Sequence, residues 1–388
     1  MNLHVSANRL LSDACAAGRV PGVVAMATDR NGIIYEGAFG ERTLGSGEAM
    51  TVDTVGWIAS MTKALTSVAA MQLVERGKFD LDDPAAKIAP EIAELKVLTG
   101  FDADGAPRLR PVKRPITLRH LLTHTSGCSY EFWSHDEAKV QAALAIPSVT
   151  ECKNKALTLP LLADPGERWE YGVSIDWVGK MIEAVSGLKL GQFLKANLFD
   201  PLGMTSTAFK ITPDMRSRLA STHLRGADDT LSVFPFEITQ EPEFEMGGGG
   251  LYGTIGDYLQ FIRTILNGGQ LGPQRVLKPE TVQLLGLNHM GANRVRLLKA
   301  AMPLTNDAEF FPGVDKSWGI GFQINDAPVF TGRPAGGLMW AGLANSFFWI
   351  DPKTGVGGAL LTQIFPFADK ESVPLYYAFE AAVYDSLQ

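Results

Sequence analysis

The chain has 388 residues, 46% of them hydrophobic and 20% charged, an ordinary globular balance sized for one two-part domain or two domains. A net charge of −7 and the lack of a dense Lys/Arg run exclude nucleic acid as a partner, and the basic stretch from Arg108 to Arg114 reads as a proline-broken solvated loop. No stretch nears about 18 consecutive apolar residues, so no membrane span is expected, and the start of the chain lacks a signal-peptide pattern, which makes the cytoplasm the default compartment.

In chain order, residues 5–17 are predicted to form an amphipathic helix stopped by Gly18. Residues 23–28 and 33–39 read as strands joined by Asp29-Arg30-Asn31-Gly32, which is hairpin chemistry. Alternation is lost through Gly45-Ser46-Gly47. Residues 62–77 then carry apolar side chains at 64, 65, 68, 71, 73 and 74, a wide helical face with Gly77 as its stop. From about 85 to 300 helix signals dominate: 117–123 with Thr117 as N-cap, 175–185, 188–198 and 252–266. The last of these follows Gly247 to Gly250, a run that implies close backbone approach or a mobile loop. Strand signals return at 318–324, 337–343, 346–350 and 356–364, with Asp351-Pro352-Lys353-Thr354-Gly355 as a turn. Pro374 opens a final helix with Leu375, Phe379, Ala382 and Val383 on one side. The expected architecture is one α/β domain made from both chain ends, about 1–84 and 301–388, with an all-α subdomain over about 85–300. The three cysteines are too few and odd in number for a disulfide framework and suit a reducing compartment. Cys15 falls on the apolar side of the first helix, and Cys128 sits in a loop where it is free to be exposed.

The chemistry centres on Ser60-Met61-Thr62-Lys63. Residues three apart on a helix are neighbours, so Lys63 points the way Ser60 does. A serine hydroxyl needs a base within hydrogen-bond reach to act as a nucleophile. Burial beside a helix N-terminus disfavours the lysine charge and so makes Lys63 a candidate base. The same N-terminus offers N–H groups to a developing oxyanion. A second match, Ser186-Gly187-Leu188-Lys189, straddles a helix end and is read as accidental. No G-x-S-x-G elbow is present, which excludes an α/β-hydrolase. His120 and His124 stand four apart, but Leu-Leu-Thr lies between them and no third ligand is evident, so no metal is expected.

The ordered series Ser60-x-x-Lys63, Leu121-Leu122-Thr123-His124-Thr125-Ser126-Gly127, Tyr171-Gly172-Val173-Ser174 and Pro201-Leu202-Gly203-Met204 resembles the serine β-lactamase and penicillin-binding-protein superfamily. Within it the chain resembles class C β-lactamases and, more closely, family VIII carboxylesterases, from about residue 7 onward. The resemblance implies an α/β (α+β) fold in which an antiparallel sheet is flanked by helices. It implies that Tyr171 shares a hydrogen-bond network with Ser60 and Lys63, and a phenol near Lys63 would have its pKa lowered. The family's Lys-Thr-Gly strand has a literal match at Lys353-Thr354-Gly355, but that match lies in a turn. Counting strands back from the final helix puts the equivalent at Trp340-Ala341-Gly342. The Leu343 N–H would then join that of Ser60 in an oxyanion hole.

The aromatic loop of Tyr130, Phe132 and Trp133, with Trp340, suggests an apolar acyl or alcohol pocket, although the same residues could be core packing. Substrate contacts are expected from Trp340, Ala341, Gly342, Tyr130, Phe132 and Val173. The expectation is a cofactor-free serine esterase for small-molecule carboxylic esters, with Ser60, Lys63 and Tyr171 as catalytic residues. The alternatives are acyl transfer or weak β-lactam hydrolysis on the same fold, or a catalytically silent ligand-binding homologue.

Overall fold

The computed structural model describes residues 2–388. Helix α1 (Leu3–Ala16) is capped by the Asn2 side chain and buries Leu3, Ala7, Leu11 and Ala14, a helical stripe. It leads through Gly18 into strands β1 (Gly22–Asp29) and β2 (Ile33–Gly40). The turn between them closes because Asp29 Oδ1 accepts the Asn31 and Gly32 N–H groups at 2.7 and 2.8 Å. The second half of the sheet comes from the far end of the chain: β3 (Lys316–Trp318), β4 (Gln323–Asn325), β5 (Leu338–Gly342), β6 (Ser346–Asp351) and β7 (Val356–Leu361). The seven strands lie in the order β3-β4-β5-β6-β7-β1-β2, and every neighbouring pair is antiparallel.

Two adjacent glycines of β7 show how both faces are covered. A Cβ on Gly357 would meet Ile262, whereas one on Gly358 would meet Trp349, which packs on Tyr376 and Phe379. Successive strand residues face opposite ways. One face therefore carries helix Ile255–Leu266, and the other carries the final helix Ser372–Asp385 together with α1.

Helix α2 (Thr62–Glu75) differs from an ordinary amphipathic helix, because every residue from Thr62 to Leu73 is buried. Three more helices matter to the site or the sheet: α3 (Leu118–Leu122), α4 (Ser174–Ser186), and the sheet-covering α5 (Ile255–Leu266) already placed. Thr117 caps α3, and its side chain accepts the His120 N–H at 3.2 Å.

The structure departs from the sequence reading at several places. The middle segment is not all-α. It holds the ribbons Val97–Phe101/Pro107–Arg110 and Gln270–Leu271/Gln274–Arg275, and the pair His223–Arg225/Leu231–Val233, to which Ile364–Phe365 from the far end of the chain adds a third strand. Because α5 lies on the main sheet, the boundary at about 300 does not separate sheet-covering elements from the rest. The strands of the Val97–Arg110 ribbon are mostly half-buried, with Leu98 and Phe101 three residues apart on a small cluster of Val140, Ile146 and Leu159, so the ribbon shows no strict apolar alternation to read.

Residues 318–324 are not one strand. They reverse between β3 and β4, where Gly319 N–H donates to Phe322 O at 2.9 Å. Gly321 has φ +85°, and a Cβ there would fall 2.6 Å from Ser67 of α2. The expected strand 356–364 ends at Leu361, and the expected helix at 252 starts at Ile255, after Tyr252–Gly253 has paired with Gly56–Trp57. The helix expected over 188–198 runs from Leu190–Leu194 through a π-helical turn, Lys195–Phe199. Cys128 is buried rather than exposed, and Cys15 is half-buried.

Candidate active site

Ser60 sits in the 3-10 turn Ala59–Met61 that feeds α2. Ala59 has φ +45°, a left-handed backbone that a residue with a Cβ adopts only under constraint from its surroundings. That constraint is visible on both sides. Ile58 N–H donates to Leu251 O at 3.0 Å, and Ile58 O lies against β5, where a Cβ on Gly342 would come within 2.4 Å of it. Gly342 is thus the close-approach residue that lets β5 reach the serine turn. Ser60 itself is half-buried and lines a cavity.

One turn on, Lys63 is fully buried. Its Nζ lies 3.1 Å from Ser60 Oγ, 3.0 Å from the Tyr130 hydroxyl and 2.6 Å from the Gly248 carbonyl. Burial pulls the Lys63 pKa well below the usual lysine range, and the nearby Asp176 carboxylate resists that fall. A carbonyl can only accept, so one Nζ–H is committed to Gly248 in either protonation state. If the Tyr130 oxygen takes a second N–H, the lone pair of a neutral amine faces Ser60.

Tyr171 precedes α4, and its ring lies under the Lys63 amine, 4.6 Å from Nζ to the centroid. Its hydroxyl oxygen accepts the Trp340 indole N–H at 2.7 Å. The expected lowering of its pKa does not occur. Burial drives it above the ordinary phenol value and outweighs the Ser60 and Trp340 groups beside the oxygen, which pull the other way. Tyr171 is therefore a neutral phenol at physiological pH. His124 packs its ring 4.7 Å from that of Tyr171 and is held neutral, first by burial and then by Lys63. His120 is occupied locally, its Nδ1 accepting the Thr117 N–H at 3.2 Å.

The cavity over Ser60 is walled by Tyr130, Phe132, Trp133, Tyr171, Trp340, Ala341 and Leu343. Sequence reasoning named all seven. Val173 and Gly342 do not line it: Val173 is the buried residue entering α4, and Gly342 backs the serine turn. Tyr130 does more than line the wall, since it touches Lys63. Ala59 beside Ser60 and five residues that the sequence did not point to, Trp57, Thr150, Met246, Gly249 and Phe367, complete the lining. Trp57 is fixed from 306 residues away, its backbone N–H and C=O both bonded to the Gln363 side chain at 2.8 and 3.0 Å. No local pattern announces such a pairing.

The turn containing Lys353-Thr354-Gly355 is closed by Asp351, whose Oδ1 accepts the Lys353 and Thr354 N–H groups at 2.9 and 3.0 Å. None of the three lines the cavity. Ser186 ends α4, and Gly187 follows with φ +72°, so the second serine–lysine pair does not share a helical face.

An antiparallel sheet under flanking helices, with a serine–lysine pair at the head of a buried helix, is the arrangement of the β-lactamase family. The family model for β-lactamase matches residues 7–383, and the chain belongs to that family. It is 35% identical to the monacolin J acid methylbutanoyltransferase of Aspergillus terreus over 97% of this chain and 94% of that protein. It is also 35% identical to the lovastatin esterase of Penicillium rubens, with 89% of each chain covered. Among solved structures, the simvastatin synthase of Aspergillus terreus (LovD6 mutant) superposes with a TM-score of 0.86 at 32% identity. That match spans 99% of this chain and 95% of the other. The protein is an enzyme of the serine β-lactamase-like superfamily, with acyltransferases and an esterase among its relatives.

Proposed function

We propose that the protein is a serine esterase that takes the acyl group of an uncharged carboxylic ester onto Ser60 and passes it to water or to a second alcohol. The observation that carries this reading is the Lys63 amine, buried and 3.1 Å from Ser60 Oγ at the floor of an apolar cavity. The Ser60 proton moves to neutral Lys63 as Oγ bonds to the ester carbonyl carbon. The N–H groups of Ser60 and Leu343 receive the oxyanion, each such donor lowering the barrier by roughly 3 kcal/mol. Collapse breaks the C–O bond, and the leaving alkoxide takes a proton supplied by Lys63 with the Tyr171 hydroxyl as relay. Tyr171 suits that role because its oxygen already accepts from Trp340, which leaves its O–H to point at Ser60 or the leaving oxygen. Water or an alcohol repeats the steps in reverse on the acyl-enzyme. The scheme needs no cofactor.

The test is a fluorophosphonate probe followed by peptide mass spectrometry. One adduct on Ser60 is expected. An adduct elsewhere, or none, overturns the reading, and none is what a catalytically silent homologue would give. The acyltransferases among the full-length relatives favour transfer beside hydrolysis. Adding a small alcohol to the ester assay should give a transesterified product in addition to free acid.

Simple esters should be preferred over β-lactams. Where class C enzymes carry the lysine of Lys-Thr-Gly, this chain has Trp340, whose single N–H donor is already given to Tyr171. Where their tyrosine motif ends in asparagine, it has the apolar Val173. Losing one charged and one neutral hydrogen bond costs roughly 2 to 4 kcal/mol, or about 30- to 1000-fold, on a substrate that needs both. An uncharged ester needs neither. The comparison is kcat/KM for a short-chain nitrophenyl ester against a chromogenic cephalosporin on one preparation. Equal or higher efficiency on the cephalosporin would make β-lactam hydrolysis the primary assignment.

Gly342→Ala should damage the same cycle without entering the cavity. The new Cβ would lie 2.4 Å from Ile58 O and 2.3 Å from Ser346 Oγ, so β5 and the serine turn must separate. A displacement of about 1 Å in a reacting group can cost on the order of 100-fold in rate. We expect kcat for the nitrophenyl ester to fall by about that factor while the far-UV circular dichroism is kept. An unchanged kcat would show that the β5 contact does not position Ser60.

A further inference from the structure

The glycine run Gly247 to Gly250 is pinned between two helices. Thr66 Oγ1 of α2 donates to Gly247 O at 2.8 Å, and Lys63 Nζ donates to Gly248 O at 2.6 Å. On the other side, Gly248 N–H donates to Asp176 Oδ1 of α4 at 2.8 Å. A Cβ on Gly248 would lie 2.6 Å from Asp176 Oδ2, so the glycine is required by the carboxylate it rests on. Asp176 is fully buried; its Oδ1 is taken by Gly248 N–H, and its Oδ2, which accepts from no other group, has the Tyr130 hydroxyl beside the carboxylate as a side-chain donor. The proposed catalytic cycle does not use it.

We propose that Asp176 is a positioning residue for Lys63: it anchors the backbone at the N–H of Gly248, whose own carbonyl fixes one Nζ–H, and it turns the Tyr130 hydroxyl so that its oxygen takes a second, which leaves the amine lone pair on Ser60. The inference rests on the reading of Ser60 and Lys63 as nucleophile and base. Gly248 N–H and Gly248 C=O lie in successive peptide planes. The first plane is held by Asp176 on its N–H and Thr66 on Gly247 O, the second by Gly249 N–H donating to Met246 O at 2.9 Å. Asp176 thus exerts the first effect by anchoring the N-terminal side of Gly248, whose two backbone dihedrals then set the direction of its carbonyl. The second effect follows from the freedom of a phenol hydrogen to rotate: the Asp176 carboxylate is a hydrogen-bond partner for the Tyr130 hydroxyl, and a hydrogen given to it points away from Lys63. The groups facing Lys63 are Ser60 from its own element, Tyr130 from the loop after α3, Tyr171 and Asp176 from the start of α4, and His124. Tyr130, Tyr171 and His124 are all held neutral by burial, which makes Asp176 the neighbour able to bring a counter-charge. That charge favours the protonated lysine, so removing it should let Lys63 lose its proton more easily.

The experiment compares wild type, Asp176→Asn, Asp176→Ala and Gly248→Ala on a short-chain nitrophenyl ester across pH. Asp176→Ala should lower kcat by at least about tenfold with KM within about twofold, the split expected when a transition-state contact is lost. Asp176→Asn, which keeps an acceptor for Gly248 N–H, should lose less in kcat and shift the acidic limb of kcat/KM to lower pH. Gly248→Ala should cost activity in wild type and less in an Asp176→Ala background, because the clashing carboxylate is gone. A purely structural aspartate would change stability and leave the limb in place. Wild-type kcat in Asp176→Ala, or an unmoved limb in Asp176→Asn, overturns the inference. If Asp176→Ala does not fold, the Asp176→Asn limb decides alone. Fluorophosphonate labelling of Ser60 in wild type is read in parallel, so failure of the nucleophile assignment is seen separately.

Discussion

Ser60→Ala is expected to lose ester cleavage almost entirely, with kcat falling by at least on the order of 10⁴-fold, as when the nucleophile of other serine hydrolases is removed. The loss has no compensating route in the structure. The side chain removed is the one hydroxyl 3.1 Å from the Lys63 amine on the cavity floor, and the Tyr130 and Tyr171 phenols nearby are held protonated by burial. Ser186→Ala, by contrast, should leave kcat unchanged, because that serine closes α4 before a left-handed glycine and its lysine lies beyond the break. Folding should be unaffected or improved by Ser60→Ala, since strained functional sites are held at some cost to stability and Ala59 at φ +45° marks such strain. The measurements are single-turnover acylation with a nitrophenyl ester and a thermal melt on the same sample. Full activity in Ser60→Ala would remove the foundation of the proposed cycle.

The parts of this site that the sequence reveals are those built from local geometry. Ser60 and Lys63 are one helical turn apart, so their meeting is written in a four-residue spacing. The Lys353-Thr354-Gly355 decoy can be dismissed because Asp-Pro-Lys-Thr-Gly is turn chemistry, and Asp351 does close that turn. What the sequence hides is long-range. Asp176 meets Gly248 across 72 residues, and Gly248 meets Lys63 across 185. Their only local traces are an acidic residue inside the apolar run Ile175-Asp176-Trp177-Val178 and a glycine run with two possible meanings. The structure decides between those meanings in favour of close approach.

The pKa of Tyr171 went the opposite way from expectation for a related reason. Proximity to Lys63 can be inferred from a motif, but the depth of burial, which decides the sign, belongs to the packed core. The reversal at 318–324 was hidden similarly: Trp318, Ile320, Phe322 and Ile324 are all buried, so the pattern of a strand survives a turn that Gly321 makes against α2.

Lys63→Arg is expected to lower acylation by at least roughly 100-fold, the low end of what a positioned general base contributes. The substitution keeps a positive charge but fixes it, because a guanidinium is not deprotonated at ordinary pH. In wild type, burial lowers the Lys63 pKa below its usual value, so the neutral amine becomes available at lower pH than for a free lysine, ordinarily about 10.4. The sign follows directly: kcat/KM should rise with pH as Lys63 loses its proton and should fall as pH drops through that lowered pKa. In the arginine variant this rise should be absent, since no proton leaves position 63 over the working range. Size is a second change, because Nζ is held by three partners at 3.1, 3.0 and 2.6 Å and a fork does not fit that geometry. Lys63→Met separates the two effects, since it keeps a long unbranched side chain but supplies neither charge nor base, and it should be as inactive as the arginine variant. A Lys63→Arg or Lys63→Met enzyme that retains most of its acylation rate would show that Lys63 is not the base and would move that role to Tyr171, despite a pKa that burial has pushed up.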